Sequence, residues 1–148
     1  MKLEINKTSF KDAIKFLEKD DILGKYVKNI EPPKIKINED YFFSLCRYII
    51  FQQLSIKSAS ATFSRFACLL NNNISAEQVL KQTENKLKNT GMSFKKVEYL
   101  RILSQSFIDN SSYEDLEKMS NVDVIKTLSS IKGIGPWTAD MFLFFTMG

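Results

Sequence analysis

The chain has 148 residues, of which 44% are hydrophobic, and a formal net charge of +4, values typical of one globular domain with a core of its own. It contains no histidine and two cysteines, which excludes Ser-His catalysis, histidine metal sites and a four-cysteine iron–sulfur cluster. No apolar run reaches membrane-spanning length, and the first residues, MKLEINKTSF, lack a signal-peptide core. We therefore expect an intracellular protein, of the cytoplasm and nucleoid or of a nucleus, that binds no membrane.

Positive charge is concentrated in the middle of the chain. Residues 41–108 hold nine basic and three acidic side chains, a net charge of +6, whereas residues 1–40 carry +1 and residues 109–148 carry −3. A basic segment of this kind indicates a polyanionic partner such as nucleic acid. The alternative is a set of ordinary solvated lysines.

The first forty residues predict two helices and a break. Ser9 is placed to cap a helix that buries three residues at helical spacing, namely Phe10, Ile14 and Leu17. A second helix repeats this spacing with Leu23, Val27 and Ile30. Pro32 and Pro33 then end the helical pattern and predict a short extended piece through Ile37.

A nearly all-apolar segment follows at residues 41–51, and a helix that is apolar all round is a central one. Ser55 is expected to cap the next helix, whose apolar face comprises Ile56, Ala59, Phe63, Ala67 and Leu70. Three asparagines at 71–73 end it. Cys46 and Cys68 fall in these two helices and are predicted to be buried free thiols in a reducing compartment.

The second half of the chain carries further helix starts with polar caps. Ser75 with Gln78 forms a capping box for a short helix, and residues 83–90 predict another that Gly91 closes in the left-handed conformation. Ser93 is expected to cap a longer helix with inward residues Phe94, Val97, Leu100, Ile102 and Leu103. Ser112 with Asp115 predicts another start, and Asn121 a further one with Val124, Ile125 and Leu128 inward. These patterns predict an all-α fold, a single compact domain of about ten helices.

A glycine turn near the end of the chain is the most informative motif. Ile131–Trp137, with the sequence IKGIGPW, separates a helix that ends near Ser129 from a last helix over Pro136 to about Thr146. Two glycines around one apolar residue let another backbone approach closely, so their amides and the positive end of the last helix can bind a phosphate. Ile134 is expected to point back and pin the two helices. The alternative is an αα-turn that uses glycine only to turn.

Four strings of the sequence, in order, resemble segments of the alkylbase DNA glycosylases of the 3-methyladenine type. The strings are Ile131–Met141 (IKGIGPWTADM, like the helix-hairpin-helix of that family), Leu17–Gly24, Ile49–Ala59 and Gly91–Leu100. Together they span roughly residues 15 to 147. The resemblance implies that residues 1–148 form one domain of the helix-hairpin-helix (HhH-GPD) superfamily, without the β-rich amino-terminal domain of some members.

The resemblance implies roles for the loop after the central helix and for one aromatic residue. Gln53 and Leu54 match the side chains that enter the gap left by a flipped-out base. Trp137 and Gln52 match the walls of the base pocket, where an indole face suits a cationic alkylated base. The alternatives are polar helix-end residues and a core tryptophan. Some relatives that also cut the strand carry a lysine nucleophile at the position of Trp137, so the resemblance implies a monofunctional enzyme that uses water.

Backbone contacts are also implied at the hairpin. The phosphate-binding residues would be Gly133 and Gly135, with Lys132, Thr138 and Ser55. Carbonyls that match Ser129, Ile131 and Ile134 hold a monovalent cation in relatives, and no other cofactor is implied. Lys95 and Lys96 match a basic spot in a third family segment, with a plain surface role as the alternative. The expected protein is a monomer that binds damaged duplex DNA.

The catalytic aspartate of the family has no counterpart in these residues. It lies in a loop beyond the helix that follows the hairpin, and we therefore expect the domain to be incomplete at its carboxy-terminal end. Asp140 does not match by position and is expected in the first helical turn, where a carboxylate suits the helix dipole. The implied activity is hydrolysis of the N-glycosidic bond of alkylated bases such as 3-methyladenine and 7-methylguanine, with residues 1–148 inactive alone. The alternative is a DNA-binding remnant without chemistry, and the codons after 148 distinguish the two.

Overall fold

The computed structural model describes residues 7–27, 30–31 and 40–147, and within these ranges it contains helices and no strand. The all-α prediction is therefore confirmed. The extended piece predicted around Pro32 and Pro33 lies outside the described residues. None of the helices in the described ranges is long and apolar enough to cross a membrane.

Nine α-helices and two other helical segments follow one another along the described chain. They are α1 Lys7–Leu17, α2 Gly24–Val27, α3 Tyr41–Phe51, α4 Ile56–Leu69, α5 Ala76–Lys81, α6 Glu84–Lys88, α7 Phe94–Asp109, a 3-10 helix Ser111–Lys118, α8 Asn121–Ser129, α9 Pro136–Phe142 and a π-helical turn Leu143–Met147.

Helix α3 lies at the centre of the core, as its composition predicts. Leu45, Cys46, Ile49 and Ile50 are completely buried, and the helix packs against α4, α7 and α9. Aromatic rings close the surrounding space with edge-to-face contacts, for example the ring of Tyr41 against that of Phe142 at 5.4 Å between centroids. Because three other helices rest on α3, the position of its carboxyl end sets the position of the loop that follows it.

Most predicted caps are in place because they depend on local hydrogen bonds. The hydroxyls of Ser55, Ser75 and Ser93 accept from the backbone N–H three residues further on, which satisfies a donor that the helix itself leaves free. Asn71 and Asn72 adopt positive φ angles just after α4, where Asn tolerates the left-handed conformation. Gly91 does the same at φ 100°.

Three predicted helix starts are wrong. Helix α1 begins at Lys7, so Ser9 lies inside it. Ser120 caps α8 instead of Asn121, one residue earlier than predicted, because its hydroxyl accepts from the N–H of Asp123 and donates to the Asp123 carboxylate. The segment after α7 is a 3-10 helix from Ser111, with Asp115 inside it and paired to Lys118.

Some predicted inward faces are also wrong. Helix α4 buries Ala59, Thr62 and Phe66, whereas Ile56 is 80% exposed. The buried stripe is rotated towards Thr62, whose hydroxyl accepts a hydrogen bond from Arg65 and is therefore not left unpaired. Phe94 is 61% exposed, and the ammonium of Lys88 lies over its ring, 3.7 Å from the ring centroid.

Two further expectations about burial fail near the edges of the fold. Helix α2 is a single turn, so Leu23 and Ile30 are exposed while Val27 is buried. Cys46 is buried, which raises the pKa of its thiol, but Cys68 is exposed. Neither residue is part of a disulfide.

The end of the described chain supplies a matched test of the core. Phe142 is fully buried, and Phe144, two residues later, is 54% exposed. Phe142→Ala should lower the free energy of unfolding by about 3–5 kcal/mol because it leaves a cavity beside Tyr41. Phe144→Ala should change it by no more than about 0.5 kcal/mol. Urea unfolding followed by circular dichroism measures both, and equal losses would contradict this placement of the core.

Candidate nucleic-acid interface

The glycine turn joins α8 to α9 as the sequence predicts. Helix α8 ends at Ser129, and α9 begins with Pro136 in its first turn. Ile131 and Ile134 are buried, and the N–H of Ile134 donates to the carbonyl of Ile131 at 3.0 Å. Ile134 therefore points into the protein as expected. The last helix is shorter than expected, because α9 gives way to a π-helical turn after Phe142.

The two glycines of this hairpin stand in different surroundings. Gly133 has a φ of +99°, and a Cβ atom there would lie 2.3 Å from the ring of Tyr99 on α7. Gly135 has an ordinary φ of −90°, and a Cβ there would meet nothing within 4 Å. Gly133 is therefore needed for the hairpin to lie against α7, whereas the space around Gly135 is open to a ligand.

The hairpin presents unused backbone donors. Among the residues that the structure describes, none accepts a hydrogen bond from the backbone N–H groups of Lys132, Gly133 or Gly135. Lys132 and Gly135 are exposed and Gly133 is half-buried. Donors that no protein group uses are available to water or to an anion such as a phosphate.

Residues 52–55, which we term the α3–α4 turn, bring a second polar segment to the surface. Gln53 has a φ of 57°, a left-handed conformation that costs a residue with a Cβ atom roughly 1–2 kcal/mol. Its side chain is exposed, and Leu54 beside it is 41% exposed. The neighbouring structure holds the turn, because the N–H of Gln52 donates to Tyr48 and that of Leu54 donates to Phe51. A strained residue at an exposed tip is typical of a functional loop.

A side-chain amide connects this turn to the hairpin. Nε2 of Gln52 donates to the carbonyl oxygen of Gly133 at 2.9 Å and to Oγ1 of Thr138 at 3.4 Å. Gln52 is half-buried, so it is not simply a solvated helix-end residue. Thr138 is buried, and its hydroxyl faces Gln52. A phosphate contact by Thr138 would therefore need its backbone N–H.

Helix α7 supports both segments through three residues near its amino-terminal end. The ammonium of Lys96 donates to the carbonyls of Ile50 and Gln52, each at 2.8 Å. Glu98 pairs with Lys132 at 2.6 Å between Oε1 and Nζ, and this hydrogen bond raises the pKa of Lys132. Tyr99 lies under Gly133. These contacts could not be predicted from the sequence, because each joins residues more than thirty positions apart.

The two lysines of the predicted basic spot, Lys95 and Lys96, point in different directions. Lys95 is exposed, while Lys96 is half-buried with its ammonium turned towards the end of α3. Partial burial lowers the pKa of Lys96. Lys96 is therefore neither a plain surface lysine nor an exposed contact for a polyanion.

Trp137 is 69% exposed in the first turn of α9, so the interpretation as a core tryptophan is wrong. It precedes Thr138, whose hydroxyl lies next to the Gln52 amide. An exposed indole offers a ligand a large apolar face. Asp140 is exposed and is the fifth residue of α9, beyond the first turn where the sequence placed it.

The hairpin also contains oxygen atoms without partners. The hydroxyl of Ser129 is buried and has no hydrogen bond. In the described part of the chain, no backbone N–H donates to the carbonyls of Ser129 or Ile134, and the carbonyl of Ile131 accepts one bond, from Ile134. The described residues contain no cluster of carboxylate, thiol or imidazole groups that could hold a metal ion. Oxygen atoms of the hairpin itself are therefore its candidate cation ligands.

Known proteins share this sequence and this fold. DNA-3-methyladenine glycosylase 1 of Schizosaccharomyces pombe is 31% identical over 129 residues, which are 84% of this chain and 57% of that protein. The solved S. pombe 3-methyladenine DNA glycosylase in complex with abasic DNA superposes with a TM-score of 0.80 and 28% identity over 93% of this chain and 70% of that one. A DNA-3-methyladenine glycosidase from Bacillus halodurans gives a TM-score of 0.78 and 31% identity, covering 94% and 64% of the two chains.

No family model matches the chain. The chain spans little more than half the length of the first of these relatives.

The contrast between the two glycines gives a stability prediction. Gly133→Ala should destabilise the fold by at least about 1–2 kcal/mol from its positive φ alone, and by more because the methyl group meets the Tyr99 ring. Gly135→Ala should be neutral or stabilise by about 0.4–1 kcal/mol, since its backbone conformation suits alanine. Thermal unfolding of the two variants checks this. Equal unfolding temperatures would show that Tyr99 does not constrain the hairpin.

Proposed function

We propose that this chain is a member of the 3-methyladenine type of the helix-hairpin-helix DNA glycosylases and acts in the hydrolysis of the N-glycosidic bond of alkylated bases in duplex DNA. The observation that carries this proposal is the hydrogen bond between the Gln52 amide and the Gly133 carbonyl. It joins an exposed, strained turn to a loop with unused backbone donors, so that both present one continuous surface. A duplex offers a gap for the turn and a phosphate for the loop.

Each segment of this surface would have a separate task. The N–H groups of Gly133 and Gly135 would bind a backbone phosphate, which fixes the register of the protein without reading sequence. Gln53 and Leu54 would enter the stack and replace the flipped-out nucleotide. The face of Trp137 would hold the extruded base, and most strongly a base that alkylation has made cationic.

The chemistry would be that of a monofunctional enzyme. Trp137 stands where a lysine would be needed for a covalent intermediate, so water would be the nucleophile. The sugar develops positive charge as the base departs, and a carboxylate near it would stabilise that charge. Asp140 is not assigned to this task, since its position differs from that of the family's aspartate.

A monovalent cation would suit the hairpin. The buried hydroxyl of Ser129 has no partner, and the carbonyls of Ser129 and Ile134 accept no backbone hydrogen bond from the described residues. These oxygen atoms, with the carbonyl of Ile131, fit the donor set that such an ion prefers. A bound ion would supply positive charge close to the amides offered to phosphate.

Base release from methylated duplex DNA by the complete product of the gene is the experiment that tests the proposal. Release of 3-methyladenine and 7-methylguanine above background is expected from that product. Trp137→Ala should slow release of these cationic bases more than release of neutral hypoxanthine. The expected difference is about 0.5–2 kcal/mol in activation free energy, from the cation–π contact. Absence of release by the complete product would overturn the glycosylase proposal, and equal slowing would indicate a purely structural tryptophan.

Salt dependence of DNA binding tests the hairpin directly. Lys132→Met should lower the slope of log K against log salt concentration by about 0.9, the contribution of one phosphate contact. Glu98→Gln should strengthen binding, because it frees Lys132 from its carboxylate. Lys118→Met is the matched control, since Lys118 pairs with Asp115 at the same 2.6 Å on the 3-10 helix. A slope that falls equally in both lysine variants would mean that only net charge matters.

A further inference from the structure

The ammonium of Lys96 contacts the backbone on both sides of the point where α3 ends. It donates to the carbonyl of Ile50 inside the helix and to the carbonyl of Gln52 just after it. Carbonyls at a helix end lack intrahelical partners and carry the negative end of the helix dipole, so a cation there is favoured. The contact is not local, because Lys96 lies on α7, 44 residues along the chain from Gln52.

The two accepting carbonyls surround the backbone of the α3–α4 turn. The carbonyl of Gln52 belongs to the peptide group that leads directly into Gln53, the residue with the left-handed φ. That conformation costs energy for a residue other than glycine, so it persists only where neighbouring contacts impose it. The side chain of Gln52 is held by Gly133, and its carbonyl by Lys96. The side chain and the carbonyl of Gln52 are thus both held in place. These two contacts constrain the backbone conformation of Gln53, the next residue.

We propose that Lys96 is a positioning residue that holds the α3–α4 turn in the shape needed to insert Gln53 and Leu54 into DNA. The inference rests on the proposed function and assigns it a residue that does not itself touch DNA. Because the ammonium gives up part of its hydration to reach two carbonyls, its place is beneath the turn and not on the outer surface. Its charge therefore acts on the loop and not on a phosphate.

The adjacent lysine supplies a matched control. Lys95 is exposed, lies on the same helix and carries the same charge. If positive charge on this part of α7 served only to attract DNA, loss of Lys95 would be at least as harmful as loss of Lys96. If Lys96 shapes the turn, only its loss will affect recognition of a gap in the stack.

The experiment measures two affinities and one fluorescence signal for residues 1–148 and for the variants Lys96→Met, Lys96→Arg and Lys95→Met. The probes are an intact short duplex and the same duplex with a tetrahydrofuran abasic analogue beside 2-aminopurine, whose fluorescence rises when its neighbours unstack. Lys96→Met should keep its affinity for the intact duplex within about twofold. It should lose about tenfold in preference for the abasic duplex, the effect of one charge-assisted hydrogen bond, together with the fluorescence rise. Lys96→Arg should recover most of the preference, and Lys95→Met should keep it.

A double-mutant comparison separates positioning from general stability. In a chain that carries Gln53→Ala and Leu54→Ala, Lys96→Met should cause no further loss of preference, because there is no insertion left to position. An additional tenfold loss in that background, or an unchanged preference in Lys96→Met, would overturn the inference. Should Lys96→Met prove unfolded, Lys96→Gln takes its place, and full preference in that variant would overturn the inference equally. A wild-type chain that binds intact duplex without preferring the abasic one would overturn the proposed function itself.

Discussion

The hydrogen bond from the side chain of Gln52 to the carbonyl of Gly133 joins two loops that are 81 residues apart. One bond of this kind contributes only about 1 kcal/mol to stability, so its importance is geometric. The buried helix α3 fixes one partner, and the hairpin between α8 and α9 fixes the other. Because both loops are anchored in the same core, their separation is set by packing, and a nucleic acid meets a surface already in register.

Helix α7 also helps to fix the positions of the two loops. Within little more than one turn, Lys96 contacts the carbonyl end of α3, while Glu98 and Tyr99 contact the hairpin. Residues three apart on a helix lie on one face, so Lys96 and Tyr99 address the two loops from the same side. Gly133 faces Tyr99 and has no room for a side chain, so packing requires glycine at this position. The space around Gly135 is open to a ligand.

Local signals account for what could be predicted from the sequence, and long-range contacts account for what could not. The caps at Ser55, Ser75 and Ser93 and the hairpin at Gly133 depend on bonds within a few residues, so their residue types suffice to place them. The buried hydroxyl of Thr62 has Arg65 as its hydrogen-bond donor, and the exposed ring of Phe94 has Lys88 over it. Periodicity counts apolar residues and cannot see either partner. The exposure of Trp137 and the burial of Lys96 were undecided for the same reason.

The basic middle of the chain shows how far net charge alone can be interpreted. Three of its cations serve helix ends: Lys96 at the end of α3, Arg101 on the carbonyl of Gln82 after α5, and Arg65 on the carbonyl of Thr90 after α6. Arg47 and Lys88 lie over aromatic rings. For the other four, namely Lys57, Lys81, Lys86 and Lys95, the structure of residues 40–147 gives no hydrogen bond or ring contact of the side-chain ammonium.

Some basic side chains of residues 41–108 thus contact groups of the protein itself, and the others are available to solvent or to a ligand. A cation at a helix end donates hydrogen bonds to carbonyl groups and has fewer left for a phosphate, although its charge still counts in the total. The electrostatic attraction of this surface for a polyanion therefore depends on the lysines that keep their hydration. The cations that are bound internally stabilise the shape of the surface. The proposed task of this protein is to open a base stack. For that task, a loop of fixed shape is as necessary as the charge that attracts the duplex.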